Sequence, residues 1–413
     1  MILTLMAGLL AVSSSYAANS VRSDYETYAK LYPSHLEYCA GTTLQFIGGV
    51  SGGSGGHGFT YVNGLCKDDS KAYPQVKPCD GTEGYPGVGI SVNSDFQNVN
   101  WVAVPTHSLL IDGDLREGKA VTNATVERLA DEATRLKVFE GVVIKPELTK
   151  DSAGRAMAIG SPDYLRAMAK NSLGTDYGTR LARNLECVRV PFEPSRLQAI
   201  ADDLNALNNS YYQTGKTYEW SGPKNNCAHV ASELIAKAGV RDAIPKQSYI
   251  HAAIPRNGSY TLISIGYFGS IEHRDVYSHR KNRAEILDGS PWLPTQVGAL
   301  AVKYPAFSDN DVFQLSPKAL WFIPKDLTPS GILTFQRARA AFNDPQPESS
   351  TIVGNLRAWE KKYAAELKAS RSKPSVFDSK EYLSFKATYA DYIESQLEFV
   401  RRSLTSLGEK PAK

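Results

Sequence analysis

Five cysteines set the tightest limits on this fold: Cys39, Cys66, Cys79, Cys187 and Cys227, in a chain of 413 residues. Residues 1–18 are apolar through Ala11-Val12 and close on Ser15-Tyr16-Ala17-Ala18. That is the pattern of a signal peptide with a small-residue cleavage site, although no Lys or Arg precedes the apolar run. The run is too short to span a bilayer. The expectation is a periplasmic or secreted protein, where disulfides form. Four cysteines then pair, and the odd one becomes a candidate reactive thiol. Cys66 and Cys79 flank a loop containing Pro, Lys and Asp and are the easiest local pair. Closing a loop of that size stabilises by about 3 kcal/mol in the chain-entropy model. Cys39 with Cys187 follows by elimination, which leaves Cys227.

Hydrophobic residues make up 42% of the chain and charged residues 22%, a globular balance that suits one large domain with additions. A net charge of +3 is too small to argue for nucleic acid or an anionic membrane as partner. No apolar run near ~20 residues follows the leader, so no integral membrane span is expected. Sequons occur at Asn123, Asn208 and Asn257 and matter only where the source glycosylates.

Along the chain, residues 22–40 read as a helix with Tyr25, Tyr28, Ala29 and Tyr32 on one side. Residues 42–50 read as a strand running into a glycine-rich turn at 48–56. His57–Val62 reads as a strand closed by an Asn63-Gly64 turn. Residues 65–98 read as a loop-rich insertion. Asn100–Pro105 and Ser108–Asp112 read as strands, Val126–Leu136 and Pro162–Leu173 as helices, and Cys187–Pro191 as a short strand. Glu193–Leu207 is an amphipathic helix with Leu197, Ile200, Leu204 and Leu207 on its apolar stripe. Residues 227–238 form a further helix. Thr261–Phe268 and Ala319–Ile323 are strand candidates. Leu356–Lys368 and Lys380–Leu407 are helical and polar and could pair as a hairpin against the core. The domain reading is thus a leader at 1–18, a catalytic domain at 19–326 and a helical extension at 327–413.

Cys227 carries the candidate chemistry. It opens the helix whose apolar positions are Val230, Ala231, Leu234, Ile235 and Ala238, and Asn225 or Asn226 can cap that helix. A thiol at a helix N-terminus is favoured as thiolate by the macrodipole; the bland alternative is a buried structural cysteine. The thiolate needs a base. Of seven histidines, His229 is two residues away and faces elsewhere on the helix. His57 follows the glycine-rich turn at the start of a strand, where a ligand can approach. His107, after the next clear strand, can orient His57 and fix its tautomer; an exposed loop residue is the equal alternative. A phosphate cradle at the glycines is disfavoured, because no Lys-Ser/Thr follows and the segment leads into a strand. His273 and His279, with Glu272 and Asp275 nearby, are a weak metal candidate, since no HExxH or paired CxxC accompanies them. No cofactor or metal is expected.

A strand opened by His, a second strand bearing a polar residue and a helix opened by Asn-Cys-x-His together resemble the circularly permuted, NlpC-type branch of the papain-like thiol hydrolases. Asn226-Cys227-Ala228-His229-Val230 is similar to the signature of the lecithin:retinol-acyltransferase-like members, with Val230 where Phe is usual. Asn100-Trp101-Val102-Ala103-Val104, the helix from Glu193, Tyr218-Glu219-Trp220 and Asn226-Cys227 are similar to the Lnb N-terminal-like periplasmic proteins. The resemblance spans roughly residues 40–265. It implies an α+β, permuted papain-like fold with an antiparallel sheet packed on the cysteine helix. It also implies Cys227 as nucleophile and His57 as base, with the orienting position falling on His107.

Two functions of different class follow. One is a cysteine hydrolase, or acyltransferase, acting on an amide or ester carbonyl in peptide, peptidoglycan or lipid. The other is a non-catalytic binding or scaffold module on the same fold, for which the long helical tail and 22 tyrosines are suited. Selectivity is expected in the 65–98 insertion and the loop around 240–290.

Overall fold

The computed structural model describes residues 24–43, 56–240 apart from 83, 116, 117 and 174, then 254–268, 286, 297–314, 329–372 and 379–410. The expected strand and glycine-rich turn between 44 and 55 lie outside these residues. So do the strand candidate at 319–323, most of the 240–290 loop, and His251, His273 and His279.

The strands β1 (His35–Gly41), β2 (His57–Asn63), β5 (Gly87–Ser91), β6 (Val102–Val104), β7 (Leu185–Pro191) and β8 (Leu300–Tyr304) form a six-stranded antiparallel sheet in the order β6-β5-β2-β1-β7-β8. A small ribbon, β3 (Leu65–Lys67) with β4 (Val76–Pro78), stands apart. The first helix, α1, covers residues 24–31 only. Pro33 ends it, since the residue before proline avoids helical backbone, and the chain turns into β1 instead of remaining helical to residue 40. The 65–98 insertion is not merely loop. Val88, Ile90 and Val92 alternate with Gly87, Gly89 and Ser91, and that period of two makes β5, which pairs with β2 in register Phe59–Ser91 to Asn63–Gly87. The glycines are required there: a Cβ on Gly89 would sit 2.7 Å from Leu110 Cδ2.

Two further segments expected as strands are helices. His107–Asp112 forms α2, capped by Thr106 Oγ1, which accepts from Leu109 N at 2.9 Å, and closed by Gly113 in the left-handed region. Then come α3 (Asn123–Arg135), α4 (Pro162–Ser172), α5 (Leu197–Tyr212), α6 (Cys227–Lys237) and α7 (Pro255–Phe268). The last replaces the strand expected at 261–268; its Pro255 sits at the first turn, where the missing N–H costs nothing. The tail supplies α8 (Pro329–Asn343), a single turn at Pro347–Ser350, α9 (Ile352–Ser370) and α10 (Lys380–Ser406). As expected, α9 and α10 pack as a hairpin. Asn355 anchors it to the core by accepting from Gly298 N at 2.8 Å and donating to Ala299 O and Glu348 O.

Register sorts the sheet into two faces. Tyr38, Gly58 and Glu186 look toward α7: Tyr38 donates to Pro255 O at 2.8 Å, and Arg256 grips Glu186 with two hydrogen bonds of 2.7 and 2.8 Å. Glu37, Cys39, Tyr61, Cys187 and Arg189 look toward α1 and α2. His57 and Ser91 belong to that second face, because each lies two positions from, or directly opposite, Phe59.

The disulfides are those the sequence predicts: Cys39–Cys187 staples β1 to β7, Cys66–Cys79 closes the small ribbon, and Cys227 is free. Two bridges are compatible with an exported protein. Among the described residues no helix is long and apolar enough to cross a membrane. Of the three sequons only Asn123 is exposed; Asn208 and Asn257 are buried.

Candidate active site

Helix α6 starts where the sequence requires. Asn226 is its N-cap, and its side chain accepts from Ala228 N at 3.0 Å and His229 N at 3.1 Å. His229 completes a capping box: its Nδ1 accepts from Asn226 N at 3.4 Å. Its ring is therefore used in holding the helix end, which agrees with its exclusion as a base by spacing. Cys227 stands in the first turn, and its own N–H has no partner within the helix.

The sulfur meets the sheet at β2. The last β2–β5 pair is Phe59–Ser91, so Gly58 lies one residue beyond the end of β5. The Gly58 N–H, which belongs to the peptide bond formed by His57, donates to Cys227 Sγ at 3.3 Å. A side chain at position 58 would crowd this end of the strand: a Cβ there would lie 3.0 Å from the Tyr38 hydroxyl and 3.3 Å from Pro255. Nucleophile and base candidates, 170 residues apart in sequence, thus converge on one peptide unit.

Behind His57 stands a relay. Its Nε2 is 3.1 Å from Ser91 Oγ, and Ser91 Oγ donates to Asp176 Oδ1 at 3.1 Å. Asn93 holds the other carboxylate oxygen, Oδ2, at 2.9 Å. A serine that donates to Asp176 accepts from His57, so the imidazole carries its proton on Nε2 and its lone pair on Nδ1. Ser91 and Asp176 are the functional candidates that sequence reasoning missed. The signal for Ser91 was the small-apolar alternation of β5; Asp176 sits in a turn after α4 and has no local signature.

His107, expected as the orienting residue, is elsewhere. Its Nε2 lies 2.8 Å from Glu37 Oε2, and its ring stacks on Tyr25 at 3.6 Å. Glu37 is four residues along β1 from Gly41, the partner of His57, about 13 Å at the usual rise per residue. The physical reason is the helix at 107–112. It carries the imidazole over the middle of the sheet rather than to the end where His57 lies. There it joins a buried network in which Arg189 Nε contacts Glu37 at 3.1 Å and Tyr304 donates to Glu37 at 3.0 Å. Burial alone would raise the Glu37 carboxyl, but Arg189 and then His107 hold it well below the usual carboxylate range.

Burial governs the charges at the candidate site. It pushes the Cys227 thiol up, against the Gly58 and Ala228 N–H groups and Arg183, which favour the thiolate. Burial, followed by the charge of Arg183, pushes His57 well below its usual range. The resting pair is therefore neutral thiol and neutral imidazole, not the thiolate that the helix dipole alone suggests. Burial also lifts Asp176 to about 7, against hydrogen bonds from Asn93, Ser91 and Ser172. Cys227 retains 8% of its surface and His57 5%.

A separate cavity of about 470 Å³ lies between α5 and α6, with His229 and Asn225 in its walls but not Cys227. Glu37 approaches the Cys39 and Cys187 sulfurs, but those sulfurs are committed to their disulfide and cannot ligate a metal.

No family model, curated protein or solved structure matches this chain.

Proposed function

We propose that the chain is an exported cysteine hydrolase or acyltransferase of permuted papain-like fold, with Cys227 as nucleophile and His57 as general base. The observation that carries this reading is the ordered line Cys227, the His57–Gly58 peptide, His57, Ser91 and Asp176. Ser91 and Asp176 take the orienting role first expected of His107.

The chemistry runs from neutral groups. His57 Nδ1 takes the thiol proton as sulfur attacks the carbonyl carbon. Nε2–H stays on Ser91, whose own proton stays on Asp176, so the imidazolium is held in place as it forms. The Cys227 N–H at the start of α6 is placed to stabilise the oxyanion, aided by the helix dipole. Collapse expels the amine or alcohol, protonated by His57, and leaves a thioester. Water or another acceptor, deprotonated by His57, then releases the acyl group and restores the thiol. Peptide, peptidoglycan and lipid carbonyls all fit this scheme.

The test is alkylation of the folded protein by iodoacetamide near neutral pH, read by mass spectrometry at Cys227. The expected result is rapid labelling that drops on His57→Ala by about 100-fold or more, the usual range for a positioned base. Labelling indifferent to His57 would favour the competing reading, a binding module with a buried inert sulfur.

A further inference from the structure

Among the described residues four arginines around the sheet are buried, and three have clear partners. Arg189 has Glu37 and Tyr304, Arg256 has both oxygens of Glu186, and Arg180 donates to Pro305 O at 2.8 Å and lies over the Phe307 ring. Arg183 is the exception. It is 2% exposed, and its Nε and Nη1 have no hydrogen-bond partner among the described residues. A guanidinium at that depth is ordinarily paired, because an unmatched buried charge is costly.

Its position gives the imbalance a use. Arg183 precedes β7 and lies against Gly41, the residue paired with His57: a Cβ on Gly41 would be 3.2 Å from Arg183 Cδ. The charges that favour its cationic form are Cys227 first and Asp176 second. Neither is a full counter-ion at neutral pH, since burial pushes the thiol up and lifts Asp176 to about 7. Burial lowers Arg183 itself to about 10, which still leaves it charged at neutral pH. The candidate site therefore contains a buried cation whose Nε and Nη1 lack hydrogen-bond partners, whose charge acts on Cys227, and which has no full counter-ion among the described residues.

We propose that Arg183 binds a carboxylate of the substrate, so that Cys227 acts on amides or esters carrying a carboxylate close to the carbonyl attacked. This rests on Cys227 being the nucleophile. One guanidinium neutralises one carboxylate, and charge-assisted N–H···O bonds to it are strong. A phosphate dianion would bring a second, uncompensated charge toward Asp176.

Two alkylating reagents of similar size and different charge test this. Rates at Cys227 are measured with iodoacetate and iodoacetamide on the folded wild type, Arg183→Gln, Arg183→Lys and His57→Ala. The expected result is an iodoacetate-to-iodoacetamide ratio that falls by about tenfold or more in Arg183→Gln, as removal of a focused charge predicts, and falls less in Arg183→Lys. An unchanged ratio in a folded Arg183→Gln protein overturns the assignment. A ratio that changes while iodoacetamide labelling ignores His57 keeps the anion site and sinks the nucleophile reading, so the two failures are separable. Should Arg183→Gln not fold, protection of the wild type decides: acetate should slow iodoacetamide more than inorganic phosphate at equal ionic strength, and the reverse order overturns the carboxylate.

Discussion

Cys227 Sγ accepts the N–H of Gly58 at 3.3 Å, so the sulfur occupies the hydrogen-bonding position a longer β5 would have filled beside β2. Sheet termination and helix capping together create the candidate site: β5 ends at Ser91 and α6 begins at Cys227.

Replacing Ser91 by Ala removes the bridge between His57 and Asp176. The imidazole loses the partner that fixes its proton on Nε2, and iodoacetamide labelling of Cys227 should slow by about 10-fold or more. Thermal stability should fall by no more than about 1–3 kcal/mol, the cost of leaving buried polar groups without a partner.

His107→Ala should do the opposite. It removes a charge-assisted hydrogen bond to buried Glu37 and the stacking on Tyr25, worth about 2 kcal/mol in urea unfolding. The labelling rate at Cys227 should stay within about twofold of wild type, because the network it belongs to lies about 13 Å along the sheet. A large loss of reactivity would restore His107 to the orienting role.

Asp176 predicts a pH dependence of stability with a definite sign. Burial raises its folded-state value to about 7, from about 4 for an ordinary aspartate. Between those values the folded state holds more protons than the unfolded state, so this group makes stability fall as pH rises from about 4 to about 7. The full effect is on the order of 4 kcal/mol. His57 and His35, both lowered by burial, act in the opposite direction: their contribution is lost as pH falls through about 6.5, the unfolded value. The comparison that isolates Asp176 is wild type against Asp176→Asn. The variant should gain relative stability above pH 7 and none near pH 4, read by chemical denaturation at both values.

The two disulfides should differ in weight. Their cysteines are 148 and 13 residues apart, which the chain-entropy model converts to about 5 kcal/mol for Cys39–Cys187 and about 3 kcal/mol for Cys66–Cys79. Paired Cys→Ala variants should follow that order in melting temperature. The Cys39–Cys187 variant should also lose His57-dependent labelling, because that bridge joins the strand paired with β2 to the strand that follows Arg183.

Much of this architecture was legible in the sequence, and the failures share a cause. The free cysteine and both disulfides came from counting and loop length. The strand at His57–Val62 is marked by the Asn63-Gly64 turn, and the Cys227 helix and the terminal hairpin by helical periodicity. The segments 108–112 and 261–268 read as strands and fold as helices, because short apolar runs suit both equally; their caps, Thr106 with Gly113 and Pro255, are the deciding signals. β5 was masked by Gly87, Gly89 and Pro86, residues that usually mark loops. Here the two strand glycines make room for Leu110 and Tyr61. Asp176 and Arg183 could not be found locally, since each acquires its setting only when residues 41, 57, 91 and 227 meet in three dimensions.

The long-range bridge between β1 and β7 has a consequence for timing. In a reducing space Cys227 is one thiol among five, and the strand that follows Arg183 is held to the one beside His57 by backbone hydrogen bonds and other noncovalent contacts only. Passage into an oxidising space locks that seam. Oxidation adds a covalent tie across β1 and β7, and a reduced chain is held along that seam by noncovalent pairing alone.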